Sequence, residues 1–196
     1  MLALLCVLAA SPARAEWHIT PTFGVTFGGS TTFVDPDLAT GNAHPSIGIS
    51  GTWLSKGLFG AEGMATLAPG FFQGDISGLR KTDVHIEASR LTTLMGNVVV
   101  AAPRKYTEYA LRPFVSGGFG LMRVSEVDNY GVLDFTANVA GFNVGGGAIG
   151  FLTPTVGVRF DLRYFSTLQG TDQGTNALGD ARLRYMTASV GVVIRR

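Results

Sequence analysis

Cysteine is almost missing from this chain: Cys6 stands alone in 196 residues. One thiol can build neither a disulfide framework nor a thiolate metal site. Leu4 and Leu5 before it are too bulky for the small-residue site that precedes a lipidated cysteine. Charge is scarce too, at 15% of residues, and balanced, with 15 Lys+Arg against 14 Asp+Glu. No broad basic face for nucleic acid can come from that. After residue 15 no run approaches the roughly 18 uninterrupted apolar residues of a helical membrane span. Yet 46% of the chain is hydrophobic and its mean hydropathy is +0.27. Something other than a helix must carry that apolar surface.

What is present is period two. In Trp17-His18-Ile19-Thr20-Pro21-Thr22-Phe23-Gly24-Val25-Thr26-Phe27-Gly28 every second residue is apolar, and those between are small or polar. This is the pattern of a β-strand with two unlike faces. It predicts eight strands, at 17–28, 45–55, 57–67, 89–101, 110–124, 139–152, 155–167 and 182–195. The seventh is the clearest: Val156, Val158, Phe160, Leu162 and Tyr164 alternate with Gly157, Arg159, Asp161 and Arg163. The 27 glycines lie within these strands and are not gathered into linkers. The polar faces are mostly Gly, Ser, Thr and Asn, which is poor material for a core. A closed, all-β, eight-stranded antiparallel barrel explains the pattern, with apolar residues toward lipid and polar residues toward a lumen.

Energetics assign the faces. An Arg against lipid at mid-membrane costs roughly 2–4 kcal/mol, so Arg159 and Arg163 must point inward with Asp161 between them. Glu62 on the third strand and Arg112 on the fifth complete the expected lumen charge network. A soluble barrel of the lipocalin kind would need the reverse arrangement. Connections at 29–44, 68–88, 125–138 and 168–181 are long, with turn formers such as Asp35-Pro36-Asp37. Those at Lys56-Gly57 and Thr153-Pro154 are short, and 102–109 is intermediate. Transmembrane barrels show this asymmetry, with four longer outer loops and short periplasmic turns. Trp17, Trp53, Phe59, Phe151, Tyr164 and Tyr185 are expected as interfacial aromatics.

The front of the chain reads as a signal peptide over 1–15, followed by the barrel over 16–196. Residues 1–10 form the apolar run, though without the usual Lys or Arg before it. Ser11-Pro12-Ala13-Arg14-Ala15 supplies a small-x-small site at Ala13 and Ala15, with cleavage after Ala15. The bacterial outer membrane is the destination this implies.

Two segments carry a resemblance. Leu111-Arg112-Pro113-Phe114-Val115-Ser116-Gly117-Gly118-Phe119-Gly120-Leu121 resembles a strand of the small outer-membrane β-barrel proteins of diderm bacteria. From Phe142 to Tyr164, a Gly-rich strand, a Thr-Pro turn and an Arg/Asp-bearing strand follow one another as in the OmpA, OmpX and opacity-protein relatives. The resemblance implies an architecture and a membrane but no activity. Its expected partners are outer-membrane lipids, lipopolysaccharide and the barrel-assembly machinery during insertion, with an extracellular ligand at the loops. A monomer is expected. Relatives usually close on an aromatic residue, whereas this chain ends Val192-Val193-Ile194-Arg195-Arg196. A cell-wall anchoring role, which in OmpA rests on a second domain, is not expected to carry over.

Chemical motifs are few. Gly145-Gly146-Gly147-Ala148-Ile149-Gly150 fits a dinucleotide fingerprint as a string, but Pro154 and unbroken period two forbid the helix it requires. Some eight-stranded barrels are lipid A enzymes, which need a Ser/His/acid site at the outer rim. His44 with Ser46, and His85 with Asp83 and Glu87, lie near that end; His18 lies at the other. Spacing alone unites no nucleophile, base and acid. Asp35, Asp37, Asp75, Asp172 and Asp180 read as solvated turn residues more readily than as cation ligands. No metal, cofactor or catalytic residue is expected. The predicted role is non-enzymatic, in membrane integrity or surface interaction. A small pore gated by the lumen charges is the alternative, followed by the lipid A enzyme.

Overall fold

The computed structural model describes residues 16–31, 43–55, 57–71, 88–103, 111–127, 135–168 and 183–196. Residues 1–15 and most of the four long connections lie outside the described residues, and with them His85, Asp83, Glu87 and the five loop aspartates. The eight expected strands are present: β1 (Glu16–Thr31), β2 (His44–Leu54), β3 (Phe59–Pro69), β4 (Ala88–Ala101), β5 (Arg112–Val127), β6 (Phe135–Phe151), β7 (Val156–Thr167) and β8 (Leu183–Arg195). Each pairs antiparallel with the next, and β1 pairs with β8, so the sheet closes as a barrel without edges. At the seam, the Trp17 amide donates to the Arg196 carbonyl and the Arg196 amide to the Trp17 carbonyl.

Period two translates directly into direction. Even positions face inward on β2, β3 and β5, and odd positions on β4, β6, β7 and β8. The outward set is apolar and exposed: Trp17 is 58% exposed, Phe23 58%, Leu94 58%, Val98 60%, Phe119 67% and Phe160 54%. Such a belt circles the barrel and far exceeds the apolar patch that water tolerates on a monomer. With Glu62, Arg159 and Arg163 buried inside, the arrangement is the reverse of a soluble barrel.

Local chemistry sets the ends. Where the register of β1 on β8 shifts between Phe27 and Ser30, Gly28 takes a φ of 63°, a left-handed conformation that favours glycine. The β6–β7 turn is closed by Thr153, whose hydroxyl accepts from the Val156 amide at 2.9 Å. The start of β1, the end of β8 and the short turns lie at one end of the barrel, the terminal end. The strand ends that the long connections join lie at the other, the loop end.

Candidate functional site: the lumen

The middle of the lumen is a polar cluster drawn from five strands, with its charges on two of them. β7 places Arg159, Asp161 and Arg163 in a row on its inward face, as i±2 spacing demands. Across the lumen, β3 contributes Glu62. Arg159 Nη1 reaches Glu62 Oε2 at 2.5 Å, and its Nη2 reaches Asp161 Oδ2 at 2.6 Å. Arg163 Nη2 bridges Glu62 Oε1 at 3.0 Å and Asp161 Oδ2 at 2.9 Å, while its Nε donates to Asp161 Oδ1 at 3.1 Å. Two guanidiniums and two carboxylates make a neutral ring. Charges this deeply buried persist only when paired and hydrogen-bonded.

Neutral side chains complete the satisfaction. Asn97 on β4 donates to Glu62 Oε1 at 2.9 Å, and the Thr52 hydroxyl on β2 donates to Glu62 Oε2 at 3.2 Å. Asn143 on β6 donates to Asn97 Oδ1 at 2.6 Å and accepts from Arg163 Nη1 at 3.2 Å. The Asn97–Asn143 bond passes over β5 at Gly118, which stands in register between them. A Cβ on Gly118 would lie 2.5 Å from Asn97 Oδ1 and would collide outright with the Gly96 carbonyl oxygen. Glycine is what lets the wall pass beneath this bond. The Gly145–Gly147 run serves similarly, lying in β6 opposite Arg163 and Asp161. Arg159 also stacks on the Phe114 ring, 4.4 Å from its centroid.

Above and below this ring, buried apolar clusters share the lumen with inward polar residues, His18 and Arg112 at one end and Thr26 and Thr93 at the other, where polar lining throughout was expected. Toward the terminal end, Leu54, Val99, Ala101, Phe114, Ile149 and Val193 form one buried cluster, with Phe151 against it. Toward the loop end, Leu91, Met95, Met122, Phe165, Leu183 and Tyr185 belong to another. Phe165 and Tyr185 stack with centroids 4.7 Å apart, and the Tyr185 hydroxyl pairs with Thr93 Oγ1 at 2.8 Å. Between the layers lies a cavity of about 30 Å³, lined in part by Ser46, Ser50, Glu62, Asp161 and Thr187. That is room for one or two waters.

Several expected residues sit elsewhere. Arg112 faces inward but does not join the ring. At the terminal end, its Nε donates to the Ala102 carbonyl at 2.7 Å, and its Nη1 lies 3.9 Å from Glu16 Oε2. Glu16 also stands 3.4 Å from the buried His18 ring. Of the six aromatics, Trp17, Trp53, Phe59 and Tyr164 face outward, and Trp17 and Trp53 are register partners. Phe151 and Tyr185 do not belong with them: both point inward. Phe151 packs edge-on to His18 at 5.5 Å and beneath Arg195, and Tyr185 is 2% exposed. Their place in the alternation was the available signal, and residue type misled. Thr52, Asn97 and Asn143 were missed because they carry no charge.

His44 and Ser46 both stand on inward-facing positions of β2, with the His44 ring 6.0 Å from Phe71. Neither presents a nucleophile or base to a lipid outside the wall. Among the described residues no group of three or more His, Cys, Asp or Glu could hold a metal ion.

Comparison with known proteins agrees with the geometry. Neisserial surface protein A (NspA) superposes with a TM-score of 0.62 at 15% identity, covering 92% of this chain and 97% of that one. A major outer membrane protein of Thermus thermophilus gives a TM-score of 0.58 at 13% identity, covering 93% and 100%. OprG of Pseudomonas aeruginosa gives 0.53 at 15% identity, covering 94% and 97%. At these identities the likeness is one of fold. No curated protein sequence matches the chain. The model of the outer membrane protein beta-barrel domain matches residues 1–195, and the chain belongs to that family.

Proposed function

We propose that this protein is a closed, non-enzymatic outer-membrane barrel that contributes to membrane integrity and surface contact and conducts nothing through its lumen. One observation carries the reading: a neutral, hydrogen-bonded ring of Glu62, Arg159, Asp161 and Arg163 sits between two buried apolar clusters. An ion crossing it would have to break paired, dehydrated charges and then shed its own hydration twice more. An eight-stranded wall leaves an interior only wide enough for side chains, which fits such a filling.

In this reading residues 1–15 are removed on export, the assembly machinery inserts the barrel as a monomer, and the loop end faces outward. Surface contact then falls to the four loops, as contact generally falls to loops on rigid scaffolds. The inward direction of His44 and Ser46 counts against that pair as the site of a lipid A enzyme.

Planar-bilayer conductance of the purified, folded protein tests the closure. Silence after demonstrated insertion is expected. Stepwise, salt-dependent openings would replace the closed barrel with a small pore.

A further inference from the structure

Among the strand residues whose side chains are described, the outward face bears no aspartate or glutamate, and its charged side chains are all arginines. Arg90 on β4, Arg123 on β5 and Arg184 on β8 stand at the loop end, and Arg196 at the terminal end. The apolar belt explains their depth. On the β5 side, Leu111, Val115, Phe119 and Leu121 line the outward surface. Ten residue steps of about 3.4 Å, tilted roughly 40°, span about 26 Å, the height of a barrel's apolar band. Arg123 is the next outward position, so it stands where hydrocarbon gives way to headgroups. A cation is tolerated there and not deeper.

Two of these arginines are neighbours. Arg90 is in register with Ser125, two residues from Arg123 along β5, which makes the pair diagonal partners on one face. Thr92, Arg123 and Asn138 form a direct cross-strand row over β4, β5 and β6. Both arginines, Thr92 and Asn138 are exposed. Adjacent like charges repel, and among the described side chains the same face supplies no carboxylate to separate them. Two guanidinium forks, an amide and a hydroxyl instead suit a group rich in acceptor oxygens and doubly negative. Phosphate takes paired hydrogen bonds from arginine in this way. The depth chooses its carrier, because a ligand at the lipid-facing rim arrives attached to a lipid.

The geometry points to a binding site for the phosphate of an outer-leaflet glycolipid, lipopolysaccharide, formed by Arg90 and Arg123 with Thr92 and Asn138. The site rests on the membrane orientation proposed above and is independent of whether the lumen conducts.

Retention of lipid tests it. The detergent-solubilised full-length protein is equilibrated with bisphosphorylated lipid A or its dephosphorylated form, and bound lipid is read by native mass spectrometry. The wild type is expected to hold the phosphorylated form at least about tenfold more tightly. The double variant Arg90→Gln/Arg123→Gln loses that preference, and Arg196→Gln at the opposite rim keeps it. Equal retention of the two lipids by the wild type, or an undiminished preference in the double variant, overturns the site. Displacement by equimolar inorganic phosphate overturns the lipid as the source. Gel mobility before and after boiling establishes that each variant is folded. If the double glutamine variant does not fold, Arg90→Lys/Arg123→Lys keeps the charge without the fork and is expected to bind several-fold more weakly; wild-type retention by it overturns the site. A folded, electrically silent barrel without lipid preference removes this inference alone, and a conducting barrel removes only the closure.

Discussion

Glu62 is the acceptor on which both arginines of the ring, Arg159 and Arg163, converge, and its side chain is wholly withdrawn from solvent. Glu62→Ala leaves Arg159 and Arg163 to share Asp161, an excess of one buried positive charge. Breaking a buried pair in this way costs about 3–5 kcal/mol, more than any hydrophobic gain from the smaller side chain. Urea unfolding of the folded barrel in vesicles is expected to show that loss. Glu62→Gln, which can still pair with Asn97 and Thr52, is expected to lose less. A loss below about 1 kcal/mol for Glu62→Ala would mean that the ring is not a stabilising unit. The inward direction of these charges was readable from alternation and the cost of arginine in lipid. Their partners Asn97 and Asn143 were not, because period two gives a residue's face but not its height or its neighbour across the lumen.

Strand identity was the most readable property of the chain. β7 begins one residue from its expected start and ends where expected, and β4 differs by one residue at its start. β5 and β6 run further toward the loop end than the pattern alone allows, since pairing with each other extends them past the alternating stretch. Phe151 and Tyr185 show the opposite error: both lie on the inward series of their strands, yet an aromatic near a strand end suggests an interface. Glycines within the strands have unequal duties. Gly118→Ala drives a methyl into the Gly96 carbonyl oxygen, so β4 and β5 must separate locally. The outward Gly51 on β2 has open space around its Cβ position. Refolding yield read on an unboiled gel is therefore expected to fall sharply for Gly118→Ala and to stay near wild type for Gly51→Ala. Equal yields would show that the close passage beneath the Asn97–Asn143 bond is not required.

The proposed closure rests on three levels of the lumen, the charge ring and an apolar cluster on either side, and this distinguishes it from a barrel held shut by charges alone. In the latter, removing one opposed pair should suffice to admit water and ions. Here Arg159→Ala/Asp161→Ala leaves Glu62 and Arg163 paired, with an apolar cluster still filling the lumen on either side. Water can enter the void this leaves beside Ser46, Ser50 and Thr187, but the clusters on either side still block a continuous path, so this double variant is expected to be less stable but electrically silent. Adding Phe71→Ala, Phe114→Ala, Phe151→Ala, Phe165→Ala and Tyr185→Ala removes the large rings from both apolar clusters. That combined variant is expected to show stepwise conductance in planar bilayers, provided its gel mobility shows a folded barrel. Conductance from the charge-pair variant alone would reverse the conclusion: the ring would then be the gate, and the apolar layers mere packing around it.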